Sequence, residues 1–326
     1  MSKEFRSDNT HGCVPEILEA IVRAATGTVT SYGGDPFTQR LRERFSELFE
    51  TEVEVFPVIT GTAGNALSIA AAKPDRVVCH EDAHILRDED GSVELLSGAK
   101  LVPVAGAYGK LHPEDLPLQP GCCLSLTNAT EAGTVYSPEE VGALSEVARR
   151  YGVAVHLDGA RFANAVASLE CAPADLTWRA GVDILSFGAT KNGAFGAEAI
   201  VVFRRELAAE LAPRHHRSGH RPSKMRLLSA QLEAYVTDDL WLRNARHTNA
   251  MARRLRDGVA NAAEVVMPVD ANIVFLRLPP ARATRMREEG YTFLDWPSLG
   301  ENVCRLVCGF STTAADVDAL LAAIGE

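Results

Sequence analysis

The chain has 326 residues, 46% of them hydrophobic, and a formal net charge of -10. That length and apolar content suit one large core with a smaller domain beside it, and the acidic balance excludes the basic face of a general nucleic-acid binder. Seven cysteines, with no C-x-x-C pair and several inside apolar runs, read as buried reduced thiols of a soluble cytoplasmic protein, and no leader-like start or membrane-length apolar run is visible.

From the N-terminus, S-D-N-T at 7–10 reads as an ordered turn or helix start. Residues 14–25 have helical spacing with Pro15 in the first turn. S-Y-G-G-D-P-F (31–37) is a loop, and 38–49 an amphipathic helix. Residues 53–59 form a strand that runs into T-G-T-A-G-N and an alanine-rich helix. Backbone N–H groups at such a helix start can hold an anion, helped by the Thr62 hydroxyl; the same start also suits an ordinary helix opening. It is not G-x-G-x-x-G, so no dinucleotide site is read.

Residues 76–79 are a strand, followed by H-E-D-A-H-I. The letters match the zinc motif H-E-x-x-H, but that motif needs one helix through both histidines, and a strand ends just before His80. No metal is expected; His84 suits stacking on a planar ring instead. Residues 100–104 and 122–127 are further strands, the second leading into the polar loop N-A-T-E-A-G-T. Residues 138–151 are a helix capped by Ser137 with Pro138 first.

Residues 153–164, V-A-V-H-L-D-G-A-R-F-A-N, place Asp158 at a strand end. Roughly thirty residues on, two strand-like runs flank S-F-G-A-T-K-N-G, with Lys191 in a loop of small residues. An aspartate and a lysine at two strand ends point to the carboxyl edge of one parallel sheet. A lysine there can form a Schiff base with a carbonyl group. In pyridoxal phosphate chemistry a carboxylate also keeps the pyridine nitrogen protonated. Each residue alone also suits a solvated turn; the pair is more specific.

Residues 206–211 are helical, followed by the basic loop R-H-H-R-S-G-H-R-P-S-K-M-R, which fits a solvated surface or a phosphate or subunit contact. Residues 227–257 read as one long helical stretch stopped by Gly258. Beyond about residue 260 the pattern becomes a compact α+β tail, with strands at 272–278 and 303–308 and helices at 281–289 and 313–324. Arg305 sits inside the apolar strand V-C-R-L-V-C, so it needs a carboxylate, structural or from an amino-acid substrate.

The motifs R-S-D-N-T, Y-G-G-D-P, G-T-A-G-N, H-E-D-A-H-I, H-L-D-G-A-R-F-A-N and S-F-G-A-T-K-N-G together resemble the threonine aldolase group of fold-type I pyridoxal phosphate enzymes, in that family's order and over nearly the whole chain. The resemblance implies an α/β large domain with a mainly parallel sheet (residues 1–250) and a small C-terminal α+β domain (251–326). It implies that Lys191 carries pyridoxal 5'-phosphate, Asp158 pairs with its ring nitrogen, and His84 stacks on the ring. Gly61 and Thr62 would bind the phosphate, and Arg161 the 3′ oxygen or the substrate. Ser7 and Arg305 would hold the substrate carboxylate. The family is usually dimeric or tetrameric, so Tyr32 and Lys224 would reach a neighbour's site. The chain departs from the family at Thr130, where many members carry a histidine that handles the β-hydroxyl. His84, or a water it holds, is then the expected base.

The reaction so implied is retro-aldol cleavage of L-threonine, or a related β-hydroxy-α-amino acid, to glycine and an aldehyde. Its rivals are another β-eliminating lyase, an aminotransferase, for which no second carboxylate site is visible, and a non-catalytic protein on the same scaffold. Against the last stand the intact Lys191, Asp158 and Arg305.

Overall fold

The computed structural model describes residues 2–259 and 262–325. After a 3-10 turn at Asp8–Thr10 come α1 (Pro15–Ala25), α2 (Pro36–Leu48), β1 (Glu54–Val58), α3 (Gly61–Ala71) and β2 (Arg76–His80). The short helices α4 (His84–Arg87) and α5 (Ser92–Ser97) precede β3 (Lys100–Val104) and β4 (Cys122–Thr127). Then follow α6 (Pro138–Arg150), β5 (Ala154–Gly159), α7 (Phe162–Leu169), β6 (Ile184–Phe187) and β7 (Glu198–Val202). The helices α8 (Arg205–Arg217), α9 (Arg226–Val236) and α10 (Leu240–Val259) lead to β8 (Glu264–Val265), β9 (Ile273–Arg277) and α11 (Pro280–Glu288). The described chain closes with β10 (Leu294–Asp295), β11 (Val303–Val307) and α12 (Ala314–Gly325).

Seven strands form one sheet in the order β1-β7-β6-β5-β4-β2-β3. The five from β6 to β3 run parallel, while β7 is antiparallel to both its neighbours, β1 and β6. Because β7 reverses direction, β1 again runs with β6. Its exit into α3, the ends of β4, β5 and β6 and the start of β7 therefore share one sheet edge. That edge carries Thr127, Asp158, Phe187 and Glu198, and the register pairs Thr127 with Asp158 and Asp158 with Ser186. The central strands β5, β6 and β7 are buried along their whole length, as expected for strands covered on both faces.

Phe187 sits in an aromatic cluster below this edge, with ring centroids 5.0 Å from Phe45, 5.8 Å from Trp241 and 6.0 Å from Tyr235. Underneath, His156 bridges Ser125 and Ser186 at 3.0 Å each, and burial holds its imidazole down to about 4, so it is neutral.

A second sheet, β10-β11-β9-β8, is antiparallel throughout. Its core gathers Leu255, Val274, Leu306, Val317 and, from the other end of the chain, Phe5. The Phe5 N–H donates to the Thr292 carbonyl at 2.9 Å, and the Phe5 carbonyl accepts from the Val307 N–H at 2.8 Å. Residues 4–6 thus pack with the second sheet.

Three readings change. The stretch expected as one helix is α9 and α10, broken at Thr237–Asp239, where Asp238 and Asp239 both have positive φ; Gly258 lies inside α10 and stops nothing. The start of the basic run, Arg214 to Arg217, forms the last turn of α8, where positive charge meets the negative end of the helix dipole. The polar stretch after His84 contains α4 and α5. Among the described residues no helix is long and apolar enough to cross a membrane. The seven cysteines are free, five of them buried.

Candidate active site

A cavity of about 530 Å³ opens at the shared sheet edge. Its walls hold Ser7, Gly61, Thr62, His84, Asp158, Arg161, Lys191 and Arg305. These eight come from both ends of the chain and from four segments of the large sheet.

Lys191 projects from the 3-10 turn Thr190–Asn192 that follows β6. Asn192 fixes this turn, donating to the Tyr235 hydroxyl at 2.7 Å and the Trp241 carbonyl at 2.8 Å. Burial lowers the Lys191 pKa, and the Arg161 guanidinium adds to it; Asp8, Asp158 and Glu198 pull the other way. A larger share of neutral, nucleophilic amine results.

Asp158, next to last in β5, has both oxygens occupied. Oδ2 accepts from Asn65 Nδ2 at 2.8 Å, and Oδ1 from the Ala160 N–H at 3.0 Å. Asn65 also donates to Glu89 Oε1 at 2.8 Å, and His84 Nδ1 lies 2.9 Å from the same oxygen. The hydrogen bond to Glu89 raises the His84 pKa against burial. His80, by contrast, ends β2 and bonds the Gly106 carbonyl at 3.0 Å. The two histidines of H-E-D-A-H therefore sit on a strand and on a helix, not on one helix.

Helix α3 begins at Gly61, with Thr60 as its cap accepting from the Ala63 N–H at 3.1 Å. Its first turn aims free N–H groups at the cavity, where an anion would sit. A Cβ at Gly61 would meet nothing within 4 Å, so this end is open.

The two arginines differ. Arg161 is engaged by Asp8 through two hydrogen bonds, Nε to Oδ2 at 2.7 Å and Nη2 to Oδ1 at 3.0 Å. Burial alone would raise the Asp8 carboxyl, but Arg161 and Lys191 hold it below its ordinary range. Arg305 has no carboxylate within ion-pair distance among the described residues. Its guanidinium lies 4.6 Å from the centre of the Trp296 ring, Nη2 reaches the Arg6 carbonyl at 3.3 Å, and its buried Nε is unpartnered. Burial lowers its pKa to about 10, which leaves it charged at neutral pH.

Thr130, Tyr32 and Lys224 do not line the cavity. Thr130 is turned inward and bonds the Thr134 hydroxyl at 2.8 Å; the neighbouring Glu131 faces the cavity. Tyr32 and Lys224 are exposed, and the Tyr32 N–H donates to the Ser223 carbonyl at 3.0 Å. Sequence reasoning missed Asp8, Asn65, Glu89, Glu131, Trp296 and Glu198. Of these, Asp8 lay in view inside R-S-D-N-T.

Glu198, opening β7, accepts from the Ala189 N–H at 2.7 Å, and burial lifts its carboxyl to about 7. The folded chain therefore keeps a proton that the unfolded chain loses above about pH 4.5. Its contribution to stability falls as pH rises from there to about 7, then stays level. In cofactor-free protein, Glu198→Gln is expected to flatten that fall and to add up to about 3 kcal/mol by about pH 8. Urea denaturation across a pH series measures it; an unchanged slope would refute the assignment.

The beta-eliminating lyase family model matches residues 4–279. The chain is 41% identical to the low specificity L-threonine aldolase of Pseudomonas aeruginosa, over 95% of this chain and 94% of that one. It is 39% identical to the enzyme of the same name from Pseudomonas sp. (strain NCIMB 10558), over 99% and 97%. Among solved structures, a threonine aldolase from Leishmania major superposes with a TM-score of 0.91 at 24% identity, covering 98% of each chain. Aspartate aminotransferase from Thermus thermophilus shares the fold at a TM-score of 0.71 and 17% identity. The architecture is thus the fold-type I α/β arrangement with a smaller antiparallel sheet, and the chain belongs to the beta-eliminating lyase family, in its threonine aldolase group.

Proposed function

We propose that this protein is a pyridoxal 5'-phosphate-dependent carbon–carbon lyase that cleaves L-threonine, or related substrates such as allo-threonine and phenylserine, to glycine and an aldehyde. The observation that carries the reading is the half-buried, charged Arg305, free of any carboxylate within ion-pair distance among the described residues, in one cavity with Lys191 and Asp158. The residues fit the cofactor: an amine of lowered pKa for its carbonyl, a carboxylate for its ring nitrogen, and the open N-terminus of α3 with Thr62 for its phosphate. When bound, it supplies the electron sink for the pair released as Cα–Cβ breaks.

The chain's own groups do the rest. Arg305 takes the substrate carboxylate, with Ser7 beside it, and so fixes rotation about the N–Cα bond. Trp296 stacks on the guanidinium and keeps it planar to its target. Asp158, tied down by Asn65 and the Ala160 N–H, stays in place to hold a ring proton. His84, clamped by Glu89, offers a flat face over the cavity. The Asp8–Arg161 pair leaves Arg305 as the free guanidinium for one carboxylate, which suits a monocarboxylic amino acid better than the dicarboxylic partners of an aspartate aminotransferase.

Leu18, Val22 and Tyr32 are exposed apolar groups around α1, and they support a homodimer or homotetramer in which Tyr32 and Lys224 reach a neighbour's cavity. Free, mostly buried thiols support a cytoplasmic setting. The test is the purified protein with its cofactor, its visible spectrum, and L-threonine with an aldehyde-reducing coupling enzyme. Aldehyde with an equal amount of glycine is expected. A coloured protein that releases ammonia and a keto acid instead would favour the β-eliminating rival.

A further inference from the structure

We propose that Glu131 is the catalytic base that takes the substrate's β-hydroxyl proton, an assignment that rests on the aldolase reading above. Glu131 lies on the loop after β4, lines the cavity, and accepts the His84 N–H at 2.8 Å through Oε1. Its Oε2 is buried and has no hydrogen-bond partner. A buried carboxylate oxygen without a donor is costly to keep unless a ligand supplies one. A substrate hydroxyl held beside His84 is such a donor.

The loop is built to present this side chain. Thr130 and Thr134 close it through their hydroxyls, and the Thr134 hydroxyl donates to the Tyr108 carbonyl at 2.7 Å. Asn128 braces the return, donating to the Tyr136 carbonyl at 3.0 Å and accepting its N–H at 3.1 Å. With Thr130 anchored inward, residue 131 is left pointing at the cavity.

His84 suits the role less well. Its Nδ1 is committed to Glu89, and the bond raises its pKa, so it carries a proton over more of the neutral range. The groups facing Glu131 are Asp158 from β5, His84 from α4 and, beyond them, Glu89, Cys79 and Tyr136. Burial first, then the Asp158 charge, lifts Glu131 to about 7, the range of an efficient base at neutral pH.

In the step assigned, the hydroxyl O–H bond breaks and its proton passes to Oε2. The oxygen pair forms the aldehyde C=O while the Cα–Cβ pair leaves toward Cα, where a proton is later added to give glycine. No oxidant or reductant is consumed.

Glu131→Gln tests this, since the amide oxygen can still accept the His84 N–H. Three readouts are taken: cleavage of L-threonine, exchange of the glycine α-proton in heavy water, which needs no hydroxyl base, and infrared titration of the cofactor-free protein. The variant is expected to lose roughly 10²–10³-fold in kcat, together with the rising limb of its pH profile near 7. Glycine exchange stays within about threefold of the parent, and a protonated-carboxyl band that titrates near 7 disappears. Cleavage within a few-fold of the parent, or loss of cleavage and exchange together, would overturn the base assignment. A parent protein that neither cleaves threonine nor exchanges glycine would overturn the functional reading and this assignment with it.

Discussion

Replacing Lys191 by alanine should abolish threonine cleavage, with kcat down by at least ~10⁴-fold, and should leave the protein colourless after the cofactor is added and unbound material removed. The turn that carries Lys191 is held by Asn192 against Tyr235 and Trp241, and from the other side by Asn244, which donates to the Asn192 carbonyl at 2.9 Å. None of these bonds uses the lysine side chain. The variant should therefore keep its cavity and its thermal unfolding transition while losing the cavity's lysine amine, which is placed to react with a carbonyl. A variant retaining more than about a hundredth of parental activity would sink the covalent role of Lys191.

The second large effect is expected at Arg305. Removing one member of a desolvated charge pair costs about 2–5 kcal/mol; here Arg305 is half-buried and the second member is the substrate itself. Arg305→Ala should raise KM for L-threonine on the order of 10²–10³-fold, because the carboxylate is held both before and during bond breaking. Colour and cofactor retention should stay, since Lys191, Asp158 and the start of α3 are untouched. Arg305→Lys should recover part of the loss, limited by the missing two-pronged geometry. A KM within about threefold of the parent would move the carboxylate site elsewhere.

The centre of the large sheet was legible because its strands are buried on both faces and read as unbroken apolar runs, as at residues 122–127; the edge strand at 100–104 is largely uncovered but was still read over its span. Asp158 and Lys191 were legible for the same reason, since each directly follows or ends such a run. The break between α9 and α10 was not, because Asp238 and Asp239 take positive φ with neither glycine nor proline to mark it. Glu89 and Glu131 were hidden differently. Both come from polar loops, and contacts far away in sequence decide which loop residue faces the cavity. Thr130 and Glu131 are neighbours in the chain, and only the clasp to Thr134 and Tyr108 decides between them. Two-residue strands such as β8 and β10 carry too little pattern to be read at all.

The docking of residues 4–8 also fixes an order of events during synthesis. Glu4 bridges to Thr292, Phe5 bonds to Val307, and Asp8 accepts from Asn272 Nδ2 at 3.1 Å. Residues 4–8 are thus made long before the partners at 272–307 that hold them. Contacts of such long sequence separation form late. Until then Arg161 lacks its Asp8 partner, Phe5 stays exposed, and Ser7 has no fixed position beside Arg305. A nascent chain halted before about residue 290 can assemble the large sheet but not a finished cavity.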